Sequence, residues 1–95
     1  MIEEYYVYVT ERILRDGTSS FSTRVKNSAE EYLQDLDSGA ELGFDLLIGY
    51  VVQPENLTSA LKAFEGFAKG RIPIDSLDLL VEGRRLGKWK KQNKN

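Results

Sequence analysis

The sequence predicts an α+β fold, a two-layer sandwich in which helices pack on a sheet of three or four mostly antiparallel strands. The run FDLLIGYVV, residues Phe44 to Val52, is apolar in both parities and is closed by Pro54, which is typical of a short strand covered on both faces. Asp16-Gly17 lies between two runs of strand-forming residues and indicates a β-hairpin. Apolar residues at helical spacing before and after FDLLIGYVV indicate two helices.

The hairpin comes first along the chain, and its register can be predicted from the side chains. A two-residue loop would place Val7 opposite Lys26, an apolar residue opposite a charged one. A three-residue loop ending at Gly17 places Val7 opposite Val25 instead. Because a slip of one residue turns every side chain to the other face, we expect the three-residue loop, with Gly17 in the left-handed conformation.

One helix is predicted before the central strand in the sequence and one after it. The first begins at Ser28, whose hydroxyl can accept from the backbone of Glu31 in a capping box, and Gly39 is its predicted end. The second begins after a cap at Asn56 and continues through about Lys69. The order of elements is therefore strand, strand, helix, strand, helix.

The end of the domain is ambiguous. Residues 75–82 form either a short third helix or a terminal strand, and the helical spacing of their apolar residues favours the helix. The predicted strand order is 2-1-3, with the third strand parallel to the second, because a crossover through a helix connects them. We expect one globular domain over residues 1–83 and a basic, frayed tail over residues 84–95.

Charge is distributed unevenly along the chain. Residues 1–66 contain twelve acidic and five basic side chains, a net charge of −7. Residues 67–95 contain three acidic and eight basic side chains, a net charge of +5. An acidic body with a basic end bears on the choice of partners rather than on the fold.

Composition argues against several classes of function. The chain has no histidine and no cysteine, which removes the commonest general base, the thiolate nucleophile and the usual ligands of transition metals. No serine is placed with a base that could activate it, and no calcium-binding loop is present. We therefore expect a protein that is not an enzyme and needs no cofactor or metal. With neither a signal peptide nor a membrane span, the prediction is a cytoplasmic protein without a membrane partner.

The leading functional hypothesis is a small protein-binding module, such as an inhibitor, an immunity-like protein or an adaptor. Its acidic first helix would contact a basic partner. A protein that handles nucleic acid is an example of such a partner, because its binding groove is cationic. The alternative for these carboxylates is an ordinary solvated helix face. The candidate contact residues are Glu30, Glu31, Asp35 and Asp37.

A second hypothesis is a nucleic-acid-binding accessory protein. Cations interleaved with one indole suit phosphate neutralisation and base stacking, and a row of tyrosines on an open sheet face would add stacking surface. The alternatives for the tail are docking on an acidic protein patch, or no role beyond keeping the end of the chain soluble. The alternative for the tyrosines is that a second helix covers them as part of the core. A homodimer is left open. The candidate residues are Arg84, Arg85, Lys88, Trp89, Lys90 and Lys91 in the tail, with Tyr6, Tyr8 and Arg24 on the sheet.

Overall fold

The computed structural model describes residues 3–87, and in this part of the chain it confirms the α+β fold class. Single 3-10 turns at Pro54–Asn56 and Ile74–Ser76 lead into the second and third helices. In chain order the elements are β1 (Tyr5–Ile13), β2 (Ser19–Lys26), α1 (Ala29–Glu41), β3 (Asp45–Val52), α2 (Leu57–Ala68), α3 (Leu77–Leu80) and β4 (Arg84–Arg85).

The four strands form one sheet in the order β2-β1-β3-β4, and each neighbouring pair is antiparallel. The predicted order 2-1-3 is confirmed, and β2 and β3 are parallel to each other because both run antiparallel to β1. The predicted interior strand is β3, which begins one residue after Phe44 and has its last five residues buried. Strands β1 and β3 therefore form the centre of the sheet.

The hairpin has the predicted register. Val7 pairs with Val25 and Val9 with Thr23 along an uninterrupted ladder. The Leu14 N–H donates to the Thr18 carbonyl at 2.7 Å, which closes a three-residue loop. Gly17 has φ of +87°, a left-handed conformation that costs glycine little and other residues more.

Helices cover both faces of the sheet, so the sandwich has three layers rather than the two predicted. Successive residues of a strand point to opposite faces, and both sets in the middle of β1 are apolar or aromatic. Val7 and Val9 pack in the larger core with Phe64 of α2. Tyr8 packs in a smaller core with Tyr32 of α1.

Helix α1 is longer than predicted. Gly39 was the predicted stop, but the helix continues through it to Glu41, and Gly43 with φ of +89° follows the Leu42 cap. The Phe44 N–H donates to the Gly39 carbonyl at 2.8 Å, and the Gly43 N–H donates to the Ala40 carbonyl at 3.1 Å. These two bonds form a Schellman motif, which satisfies the last carbonyls of the helix and explains why the stop glycine is Gly43, four residues after the predicted Gly39.

Both predicted cap residues precede their helices, but only some of the predicted capping hydrogen bonds form. The Ser28 hydroxyl accepts from the Glu31 N–H at 3.2 Å, but within residues 3–87 no bond returns from the Glu31 carboxylate to the Ser28 backbone. Asn56 precedes α2 without a side-chain cap, because the 3-10 turn already places its backbone in a helical conformation. The start of α1 is therefore held by one capping bond.

The sheet continues past residue 83 into the basic segment. The segment 75–82 contains the favoured helix, although α3 is only one turn long. Arg84 and Arg85, predicted to begin a frayed tail, pair with Val51 and Tyr50 as β4, and the Leu86 N–H donates to the Gly49 carbonyl at 2.8 Å. The outer edge of β3 was available for pairing, and Leu86 packs against the smaller core, so the sheet extends into the basic segment.

Candidate functional site

The outward face of α1 carries most of the predicted contact residues. The helix has thirteen residues, of which five are acidic and none basic. Tyr32 and Leu36 face the sheet and are buried. The opposite side of the helix carries four exposed carboxylates, which we call the acidic face: Glu30, Glu31, Asp37 and Glu41.

Three members of the acidic face follow from helical geometry. Glu30, Asp37 and Glu41 are separated by seven and four residues, so they lie along one stripe of the helix. Glu41 was not among the predicted contact residues because the helix was expected to stop before it. The Gly43-Phe44 pair, a glycine followed by an apolar residue, was the sequence signal for the later end.

Asp35 does not share this exposed position. Its side chain is only 18% exposed. Its Oδ2 accepts a hydrogen bond from the Tyr8 hydroxyl at 2.5 Å, and the same oxygen lies 3.4 Å from Nε of Arg24. The carboxylate therefore pairs with residues of its own chain, and Asp35 is not part of the surface available to a partner.

The sheet tyrosines lie beneath α1 rather than on an open face. Tyr8 is 0% exposed, and its ring contacts Tyr32 edge-on with centroids 4.8 Å apart. Tyr6 is half-buried and stacks on Tyr32, with ring centroids 5.1 Å apart. Arg24 is held beside Asp35. The hypothesis that Tyr8 stacks on a base is wrong for this structure, because α1 already occupies that face.

The basic segment is only partly described. Arg84 is exposed on β4, while the Arg85 guanidinium forms an ion pair with Asp78 at 2.9 Å. These two arginines are therefore attached to the sheet edge. The remaining predicted residues of the tail, Lys88, Trp89, Lys90 and Lys91, lie outside the described residues.

A second tyrosine–aspartate–arginine group occupies the other face of the sheet. The hydroxyl of the buried Tyr50 donates to Oδ1 of Asp78, whose Oδ2 accepts from Arg85. It repeats the arrangement of Tyr8, Asp35 and Arg24. Each group lets a phenol end inside the fold with its hydroxyl paired.

Burial raises the pKa of the Tyr8 and Tyr50 phenols, and the hydrogen bonds to Asp35 and Asp78 raise it further. In the unfolded chain a tyrosine ionises near pH ~10. Above that pH the unfolded state loses protons that the folded state retains, so the free energy of unfolding should fall as the pH rises. Below pH ~10 the stabilisation is fully present.

We therefore expect urea denaturation at pH values from ~8 to ~11 to show falling stability above pH ~10. Tyr8→Phe and Tyr50→Phe should each make this fall less steep than in the wild type. Comparison of the three proteins at matched pH removes every contribution to the pH dependence that they share. An equally steep loss in both variants would contradict the assignment.

Other kinds of site find no support in the described part of the chain. No group of three or more His, Cys, Asp or Glu side chains there could hold a metal ion. None of the helices in residues 3–87 has the length and apolar character needed to cross a membrane. Comparisons with protein-family models, curated proteins and solved structures find no match.

Proposed function

We propose that this protein is a small, non-enzymatic binding module that presents the acidic face of α1 to a basic protein partner. The observation that carries the proposal is the charge of this helix, with five carboxylates, no cation and four of the carboxylates exposed. Opposite charge on a partner would steer the encounter and raise the association rate. An inhibitor, an immunity-like protein or an adaptor of a nucleic-acid-handling protein would act in this way.

Two features of α1 support a role in binding rather than in helix stability. Glu41 lies in the last turn, where a carboxylate opposes the helix dipole, and no basic residue accompanies it there. Leu33 is exposed and lies three residues after Glu30 and four before Asp37, next to both on the helix surface. An apolar residue with polar neighbours matches the apolar centre and polar rim of a protein interface.

The test is affinity capture from the native host with two charge-reversed variants. One variant carries lysine at the four positions of the acidic face. The matched control carries lysine at four exposed carboxylates elsewhere, so that both variants have the same net charge. The control positions are Glu3, Glu55, Asp75 and Glu82.

We expect a basic protein to be captured by the wild type and the control but not by the acidic-face variant. With the purified partner, association at low salt should be slower by about tenfold or more for that variant and should depend less on salt. Equal capture by both variants, or capture of no basic protein by the wild type, would refute the proposal.

A nuclease-treated arm of the same capture tests the nucleic-acid alternative. This alternative is supported by the exposure of Arg84 and by the lack of carboxylates in the sequence from Gly83 onward. Oligonucleotide binding lost when the chain ends at Gly87 would assign it to residues 88–95. Ending the chain at this point retains β4 and Leu86, which pair with β3.

A further inference from the structure

The two edges of the sheet differ in how well they are protected from another strand. At one edge β4 is two residues long and consists of Arg84 and Arg85. At the other edge β2 has eight residues, no proline and an unshifted ladder with β1. Short, charged or bulged strands resist edge-to-edge pairing, whereas a long regular strand favours it. The β2 edge therefore has the geometry of a docking strand.

The hairpin fixes which residues of β2 turn their backbone groups outward. Leu14 and Thr18 form a hydrogen-bonded pair at the loop. Hydrogen-bonded and non-hydrogen-bonded pairs alternate along an antiparallel ladder. Counting along the register from Thr18, the backbone N–H and C=O groups of Phe21, Thr23 and Val25 point away from β1. Within residues 3–87 no strand pairs with them.

We propose that β2 pairs antiparallel with β2 of a second copy about a two-fold axis at Thr23, joining two four-stranded sheets into one. In this register Phe21 meets Val25 of the copy, and Thr23 meets its own equivalent. Phe21 is 38% and Val25 36% exposed, so apolar surface on both is covered by the pairing. At Phe21, Thr23 and Val25, the backbone N–H and C=O groups that point away from β1 therefore face the same kind of groups on the second copy.

Charge favours the same register. Arg24 lies opposite Ser22 of the copy, and Lys26 lies opposite Ser20. An axis at Arg24 would place the two Arg24 side chains together, and an axis at Val25 would place Arg24 against Lys26. An axis at Ser22 also avoids these clashes, but it pairs Val25 with Ser19 rather than with Phe21. Arg24 is in addition beside Asp35 of its own chain, which offsets its charge.

The experiment measures the molar mass of the full chain by sedimentation equilibrium over a range of concentrations. We expect the wild type to reach the mass of two chains. Thr23→Pro removes an outward N–H without removing a bond to β1, and by symmetry it deletes two intermolecular bonds. It should weaken the dimer by about tenfold or more. A wild type that has the mass of one chain at every concentration overturns the proposal.

Charge pairing tests the position of the axis. Thr23→Lys places two cations directly opposite each other and should give a monomer, as should Thr23→Glu. Mixing the two variants should restore the mass of two chains, because lysine then meets glutamate at the axis. Circular dichroism of each variant confirms that it is folded. Dimers of Thr23→Lys as stable as the wild type, or a mixture that stays monomeric, would refute this axis.

A cysteine cross-link gives an independent readout because the chain contains no cysteine. Directly opposed residues in a hydrogen-bonded antiparallel pair have Cα atoms about 5.5 Å apart, within the range of a disulfide. Thr23→Cys should therefore form a disulfide-linked dimer on mild oxidation. Thr58→Cys, exposed on α2, is the control that should not do so at the same rate. Equal rates for the two variants would count against the paired strands.

Discussion

Phe64→Ala should lower the free energy of unfolding by about 3–5 kcal/mol, a large part of the ~5–15 kcal/mol typical of a folded domain. The Phe64 side chain is 0% exposed and lies in the larger core, where its ring faces Tyr50 with centroids 5.9 Å apart. The substitution removes the ring and leaves a cavity between α2 and the sheet. Urea denaturation monitored by circular dichroism measures the loss.

Phe67→Ala is the matched control, with the same chemical change one turn later on the same helix. Phe67 is half-buried on the flank of α2, where it contacts the exposed Phe21. Because less surface is buried and solvent can fill the space, its loss should be clearly smaller. A loss at Phe67 equal to or greater than that at Phe64 would show that α2 packs through a different face.

Asp35→Ala should destabilise the protein by about 1–3 kcal/mol because it removes the acceptor of a hydroxyl that lies inside the fold. Tyr8 is then left with an unpaired buried group, and Arg24 loses its nearest carboxylate. Asp37→Ala makes the same change two residues away on the acidic face. With no partner in residues 3–87 among the salt bridges or side-chain hydrogen bonds, it should change stability by less than ~0.5 kcal/mol.

The double variant Tyr8→Phe/Asp35→Ala identifies the origin of that loss. Removing the hydroxyl together with its acceptor leaves no unpaired hydroxyl inside the fold, so the double variant should be more stable than Asp35→Ala alone. Denaturation of the wild type, both single variants and the double variant completes the cycle. Strictly additive losses would mean that Tyr8 and Asp35 do not interact in the folded protein.

The acidic helix illustrates how far a sequence pattern can identify a surface. The pattern predicted a capped, carboxylate-rich helix, and Glu30, Glu31 and Asp37 are exposed on it. It could not predict that Asp35 is less exposed than these three, because the Asp35 carboxylate accepts a hydrogen bond from Tyr8, twenty-seven residues earlier in the chain. Helical spacing predicts which side of a helix a residue occupies but not which side chain of another element reaches it.

The amino-acid sequence by itself determined the α+β class, the hairpin register and the central position of β1. These depend on local rules, since turn residues and the alternation of side chains act between neighbours along the chain or across one ladder. Only the tertiary structure decided that α1 and α2 lie on opposite faces, that Tyr8 is buried, and that Arg84 and Arg85 complete the sheet. Those outcomes depend on contacts between residues distant in the chain, where the burial of a whole face outweighs local propensity.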